Sequence, residues 1–114
     1  SARMGGARRA SPIIINSAIC AVWKMASSIL EGIRVVDLTQ NVAGPFCTQI
    51  LADLGAEIVK VERPRGGDDT RAWMPPEIGA EAATFLALNR GKQSVAIDMS
   101  APQGRDIVAR LAKT

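Results

Sequence analysis

The sequence predicts an α/β protein, an incomplete Rossmann-like parallel sheet with the element order βαβ(α)βα. Three observations carry this. Short β-branched runs alternate with stretches of helical periodicity. Prolines and glycines stand where helices start and stop. An apolar share of 47% with 22% charged residues over 114 positions is the balance of a globular chain rather than a disordered one.

Ile33 to Leu38 is a β-branched run between Gly32 and the polar Thr39-Gln40-Asn41, and reads as a strand. Gly44-Pro45 then opens a segment in which Phe46, Cys47, Ile50, Leu51 and Leu54 mark one apolar face of a helix. Pro45 suits the first helical turn, and Gly55 suits the position that ends the helix. Ile58 to Val61 is a second strand, stopped by Pro64, and strand–helix–strand implies a parallel crossover. Arg65 to Gly79, rich in Gly, Pro and Asp, predicts a loop, and Ala82 to Leu88 a short helix. Asn89 to Lys92 reads as a basic turn, and Val95, Ala96, Ile97 and Met99 as a third strand. Ser100-Ala-Pro-Gln103 has the form of a capping box, followed by the apolar stripe Ile107, Val108 and Leu111 of a last helix. Three strands and a closing helix look like the opening of a longer doubly wound sheet. Residues 30–114 are therefore expected to be the N-terminal part of a larger domain, cut at Thr114, with an open sheet edge.

Residues 1–29 form a separate leader. The first 30 positions hold four basic residues and no acid, whereas residues 31–114 hold 10 basic and 11 acidic residues, so the net +3 belongs to the leader. That argues against a nucleic-acid-binding face on the folded part. The leader's apolar run, broken by Asn16 and Ser17, is too short for a membrane span. An Arg-rich, acid-free start fits an organellar transit peptide, and translated upstream sequence with Met25 as the true start fits equally well; a secretory signal is disfavoured by its poor apolar region. The expected compartment is mitochondrial or cytoplasmic. Cys20 and Cys47 form no ligand cluster and read as ordinary thiols. With no histidine, no Ser-His-Asp or Cys-His nucleophile and no His-ligated metal site can be completed within the chain, and no metal site is expected.

In open α/β sheets ligands bind at the carboxyl ends of strands. Three segments fall there. Gln40 to Pro45 places small residues at a helix start, where free N–H groups favour an anion, although a tight turn explains the pattern as well. Glu62 to Arg71 carries Arg63 just past a strand end, where a guanidinium can meet a phosphate or stack on adenine; Asp68 to Arg71 reads equally as a self-contained, solvated salt-bridged loop. Glu62 also lies near where an acid would hold the ribose of NAD, but the glycine fingerprint is absent. Asp98 to Ser100 closes the third strand beside the last helix and by composition is a turn and a cap.

Taken together, Leu30–Thr39, Ala43–Phe46, Leu51–Glu57, Val59–Pro64, Gly67–Arg71, Asn89–Lys92 and Ile97-Asp98 closely resemble the N-terminus of the class III CoA-transferases, the formyl-CoA, carnitine and succinyl-CoA:glutarate type. The resemblance covers Leu30 to about Lys113. It implies an acyl-CoA enzyme that takes an acyl-CoA and a small carboxylic acid, works as an interlocked ring-like homodimer, and needs no nucleic acid, membrane or permanently bound cofactor. It implies an aspartyl mixed anhydride formed on the donor acyl group, then an enzyme thioester, then transfer to the acceptor. By position, Val42 and Ala43 match backbone contacts to coenzyme A, and Arg63 the basic residue at the adenosine-phosphate end. Ile97, Asp98, Met99 and Ser100 match the strand end beside the adenine and diphosphate. Ser100 departs from the lysine that many members carry. The family's catalytic aspartate lies beyond Thr114, so the chain supplies no nucleophile and is expected to be inert alone. An α-methylacyl-CoA racemase-like enzyme is the nearest alternative, disfavoured by the long stretch from Asp68 to Lys92; a non-catalytic CoA- or nucleotide-binding remnant is another.

Overall fold

The computed structural model describes residues 29–114, so the readings of the leader and Cys20 lie outside it. The backbone runs β1 (Arg34–Asp37), α1 (Ala43–Asp53), β2 (Glu57–Glu62), a 3-10 turn (Asp69–Ala72), β3 (Glu77–Ile78), β4 (Glu81–Ala82), α2 (Ala83–Asn89), β5 (Gln93–Ala96) and α3 (Pro102–Leu111). β1, β2 and β5 make one parallel sheet with β2 in the middle, paired Val35 to Ile58 on one side and Val61 to Val95 on the other. The expected α/β class and parallel order hold. The expected loop from Arg65 to Gly79 is more structured than its composition suggests: it contains the 3-10 turn and one strand of the β3–β4 hairpin.

Strand geometry sends alternate side chains to opposite faces, and paired residues of parallel strands share a face. One face therefore carries Asp37, Ile58, Lys60 and Glu62, and the other Val36, Val59, Val61 and Val95. α3 covers the second face. Val108 and Leu111 meet Val36, Val61, Val95 and Ile97 in an aliphatic core.

α1 lies on the first face, and here the periodicity misleads. The helix forms where expected, with Pro45 in its first turn and Gly55 at φ 100° just past its end. Its buried side chains, however, are Pro45, Thr48 and Gln49, whereas Phe46, Ile50 and Leu54 of the apolar face are 55%, 46% and 39% exposed. The sheet beneath carries charge, and the Thr48 hydroxyl turns towards it to meet Asp37, while the buried Gln49 amide donates to Asp53 of the same helix. Close packing at the helix start needs Gly44, because a Cβ there would overlap the Thr39 side chain.

Two further expectations are corrected. The third strand ends at Ala96 rather than Met99, although the Ile97 N–H still donates to the Glu62 carbonyl at 2.9 Å. The capping box at Ser100 does not form. Ala101 occupies the cap position of α3 without a side-chain bond, and the Ser100 N–H and hydroxyl both donate to Asp98 Oδ1, at 2.9 and 2.6 Å. The Asp98 carboxylate takes the Ser100 N–H that the Gln103 side chain would accept in a capping box, and the resulting turn ends the strand.

Candidate functional site

Two buried ion pairs and one part-buried pair build the carboxyl end of the sheet. Asp37, the last residue of β1, accepts from the Thr39 N–H and hydroxyl, from the Thr48 hydroxyl at 2.6 Å and from Lys92 Nζ at 3.2 Å. Lys92 also donates to the Pro45 carbonyl, Thr48 Oγ1 and Asn89 Oδ1. The basic turn of the sequence thus divides: Arg90 pairs with Asp53 at the surface, and Lys92 is buried.

Lys60, in the centre of β2, forms the second pair with Asp68 Oδ2 at 2.8 Å, both side chains being at most 1% exposed. Lys60 Nζ also donates to the Thr39 carbonyl at 2.8 Å, while Asp68 Oδ1 accepts from the Asn41 N–H at 3.2 Å and from the Thr70 N–H and hydroxyl. One ion pair therefore ties the loop after β1 to the loop after β2. Asn41 is held at φ 66°, a left-handed conformation that asparagine tolerates.

Glu62 forms the third pair, accepting from Arg71 Nε at 2.7 Å and its second guanidinium nitrogen at 2.8 Å, from Ser94 and from the Asp68 N–H. Arg71 reaches Glu81 as well and lies over the Phe85 ring at 3.7 Å. The Asp68–Arg71 run is thus anchored in β2 rather than self-contained, with Asp68 and Thr70 buried and Asp69 exposed. Glu62 is spent on Arg71, so the ribose-binding reading of that acid fails.

Burial alone would raise these carboxyl groups, but the hydrogen bonds and cations reverse it. For Glu62 the bonds from Arg71 and Ser94 bring the value down to about 2. Asp37 and Asp68 are lowered in the same way, by bonds from Thr39 and Thr48 and by Lys60 with Thr70 respectively. Burial pushes Lys92 down, and Asp37 offsets only part of this. Exposed Asp98 is lowered by its bonds from Ser100.

The three loops enclose a cleft of about 530 Å³. Leu38 and Gln40 line it from the loop after β1, Val61 to Arg65 from the end of β2, and Ile97 to Ser100 from the turn after β5. Five of the seven residues singled out in the sequence, Arg63, Ile97, Asp98, Met99 and Ser100, meet around this one cleft. Val42 and Ala43 do not line it; they sit at the start of α1, which no side chain caps. Gln40 and Arg65 line it without having been singled out. Arg63 donates to the Gly67 carbonyl at 3.1 Å and pairs with Asp69. No cluster able to hold a metal ion occurs among the described residues, and no helix among them is long and apolar enough to cross a membrane.

The chain has known counterparts. The family model for CoA-transferase family III matches residues 30–114. A succinyl-CoA:glutarate CoA-transferase of Mus musculus is 54% identical over 83 residues, which cover 73% of this chain and 19% of that protein. A formyl-CoA:oxalate CoA-transferase of Rhodopseudomonas palustris is 40% identical over 85 residues, covering 75% of this chain and 20% of that protein. The crystal structure of a CaiB/BaiF family protein from Brucella suis superposes with a TM-score of 0.68 at 46% identity, over 74% of this chain and 23% of that one. The chain spans about a fifth of the length of the curated relatives it matches.

Proposed function

Because the chain belongs to CoA-transferase family III, we propose that its cleft is part of the coenzyme A site of an enzyme that moves CoA from an acyl-CoA donor to a small carboxylic acid. The observation that supports this best is the convergence of Arg63 and Ile97–Ser100 on one cleft at the carboxyl ends of three parallel strands, where such sheets take nucleotides. Arg63 exchanges Asp69 for a phosphate of the ligand, and the turn from Ile97 to Ser100 receives the adenine and diphosphate. Val42 and Ala43 contribute backbone N–H groups at the start of α1, beside the cleft.

In the whole gene product an aspartate outside residues 1–114 attacks the donor thioester carbonyl. The C–S bond breaks, the CoA thiolate leaves, and an acyl-aspartyl anhydride remains. The thiolate then attacks the aspartyl carbonyl and releases the donor acid. The acceptor carboxylate attacks the resulting thioester in turn, and the returning thiolate takes the acceptor acyl group. The carboxylates described here suit a supporting part. Asp37 and Asp68 are committed to buried lysines and Glu62 to the half-buried Arg71, and Asp98 holds the Ser100 turn. Residues 30–114 form the first part of the large domain in this reading, which includes assembly as a homodimer. The test is to incubate the gene product with acyl-CoA and hydroxylamine. An aspartyl hydroxamate found by mass spectrometry, outside residues 1–114, is the expected result; no modified carboxyl group would reject the anhydride route.

A further inference from the structure

Two guanidinium groups line the cleft, and they differ in one respect. Arg63 is neutralised by Asp69 and tied to the Gly67 carbonyl, so an incoming anion has to displace a carboxylate to reach it. Arg65 is exposed, lines the same cleft, and among the described residues has no carboxylate within ion-pair distance. The remaining charges facing the cleft are Glu62, already held by Arg71, and Asp98 on the opposite loop. The unbalanced positive charge of the cleft therefore sits at Arg65, and Asp98 puts the opposite sign across from it.

The backbone beneath Arg65 is fixed on both sides. Pro64 precedes it, and Gly66 and Gly67 follow at φ 81° and 63°, a turn open to glycine without strain. A Cβ at Gly67 would run into the Glu62 carboxylate and the Arg71 side chain, so the turn is seated directly on the buried Glu62–Arg71 pair. Asp68, the next residue, is locked to Lys60. Because the turn is already ordered, binding at Arg65 has to order only its side chain, and among the described residues no carboxylate already takes its charge.

We propose that Arg65 is a specificity-determining residue that holds a phosphate of the ligand in this cleft; the proposal rests on the coenzyme A reading above. A guanidinium meets a phosphate through paired N–H donors, which makes it the side chain of choice for such a group.

Calorimetric titration of the whole gene product tests this with coenzyme A and with dephospho-coenzyme A, for the wild type, Arg65→Ala and Arg65→Lys. Arg65 is exposed and, among the described residues, has no ion-pair partner, so neither substitution disturbs a buried contact there. Arg65→Ala is expected to weaken CoA about tenfold or more, and Arg65→Lys to recover part of the loss. A loss seen for CoA alone assigns Arg65 to the 3′-phosphate, and an equal loss for both ligands assigns it to the diphosphate; either supports the proposal. Affinities of Arg65→Ala within twofold of wild type for both ligands would overturn the role of Arg65 and leave the CoA reading standing. A wild type that binds neither ligand would overturn both.

Discussion

The two faces of one three-stranded sheet are built on opposite principles. The face under α3 is aliphatic, with Val61, Ile97 and Val108 closing against Val36, Val95 and Leu111. The face under α1 buries Asp37, Lys60 and Glu62 within strands four to six residues long, each answered by a charge from another element. Non-directional burial holds the first face together, and directional bonds hold the second. The difference has a functional consequence. The aliphatic face holds the turn after β5 through Ile97 alone, whereas Lys60 and Asp68 reach Thr39 and Asn41, and Glu62 reaches the Asp68 N–H. The charged face presets two of the three loops that line the cleft, those after β1 and β2.

The contrast makes its largest prediction at Lys60. Lys60→Met leaves Asp68 buried without its cation and is expected to cost about 3–5 kcal/mol in urea unfolding. The double substitution Lys60→Met/Asp68→Leu, which removes both charges, should recover much of that loss. Equal stability of the single and double variants would show that the pair is not coupled.

Acid comes next. Glu62 titrates near 2 in the folded protein against 4.5 for the free side chain, so its bonds favour the folded state above about pH 4.5. The contribution, about 3 kcal/mol at most, fades as pH falls towards 2. Asp37 and Asp68 are lowered too and act in the same direction. Glu62→Gln is expected to be less stable than wild type at neutral pH and to lose less stability on acidification. A parallel acid profile for the two proteins would remove Glu62 from the account.

The smallest effects compare the faces directly through near-isosteric changes. Thr48→Val deletes a hydroxyl that donates to Asp37 and accepts from Lys92, and should cost about 1–3 kcal/mol. Ile97→Val deletes one methylene from the aliphatic face and should cost about 0.5–1.5 kcal/mol. The reverse order in thermal unfolding would mean that the polar face is the more tolerant one.

Much of the architecture was legible because each signal is local. The β-branched runs, the Pro45 start and the Gly55 stop are properties of single elements, and β1, α1 and β2 form around them. The inward face of α1 was not legible. The stripe of Phe46, Ile50 and Leu54 points inward only if the opposing surface is apolar, and nothing in the strand pattern marks Lys60 of β2 as buried and paired. The Ser100 cap failed for a similar reason: the motif names an acceptor but not its competitor, Asp98. For the site, strand ends pointed to the three loops that line the cleft. The special standing of Arg65 was invisible, because it depends on which neighbouring arginine, Arg63 or Arg71, takes which carboxylate.

Hydrogen–deuterium exchange of the whole gene product with and without coenzyme A tests the central claim most directly, that the three loops at the carboxyl end of the sheet receive the ligand. The account predicts that CoA slows exchange in residues 39–43, 62–67 and 97–101 and leaves α3 unchanged. Binding of CoA with those segments unaffected, and protection confined to other parts of the protein, would contradict it.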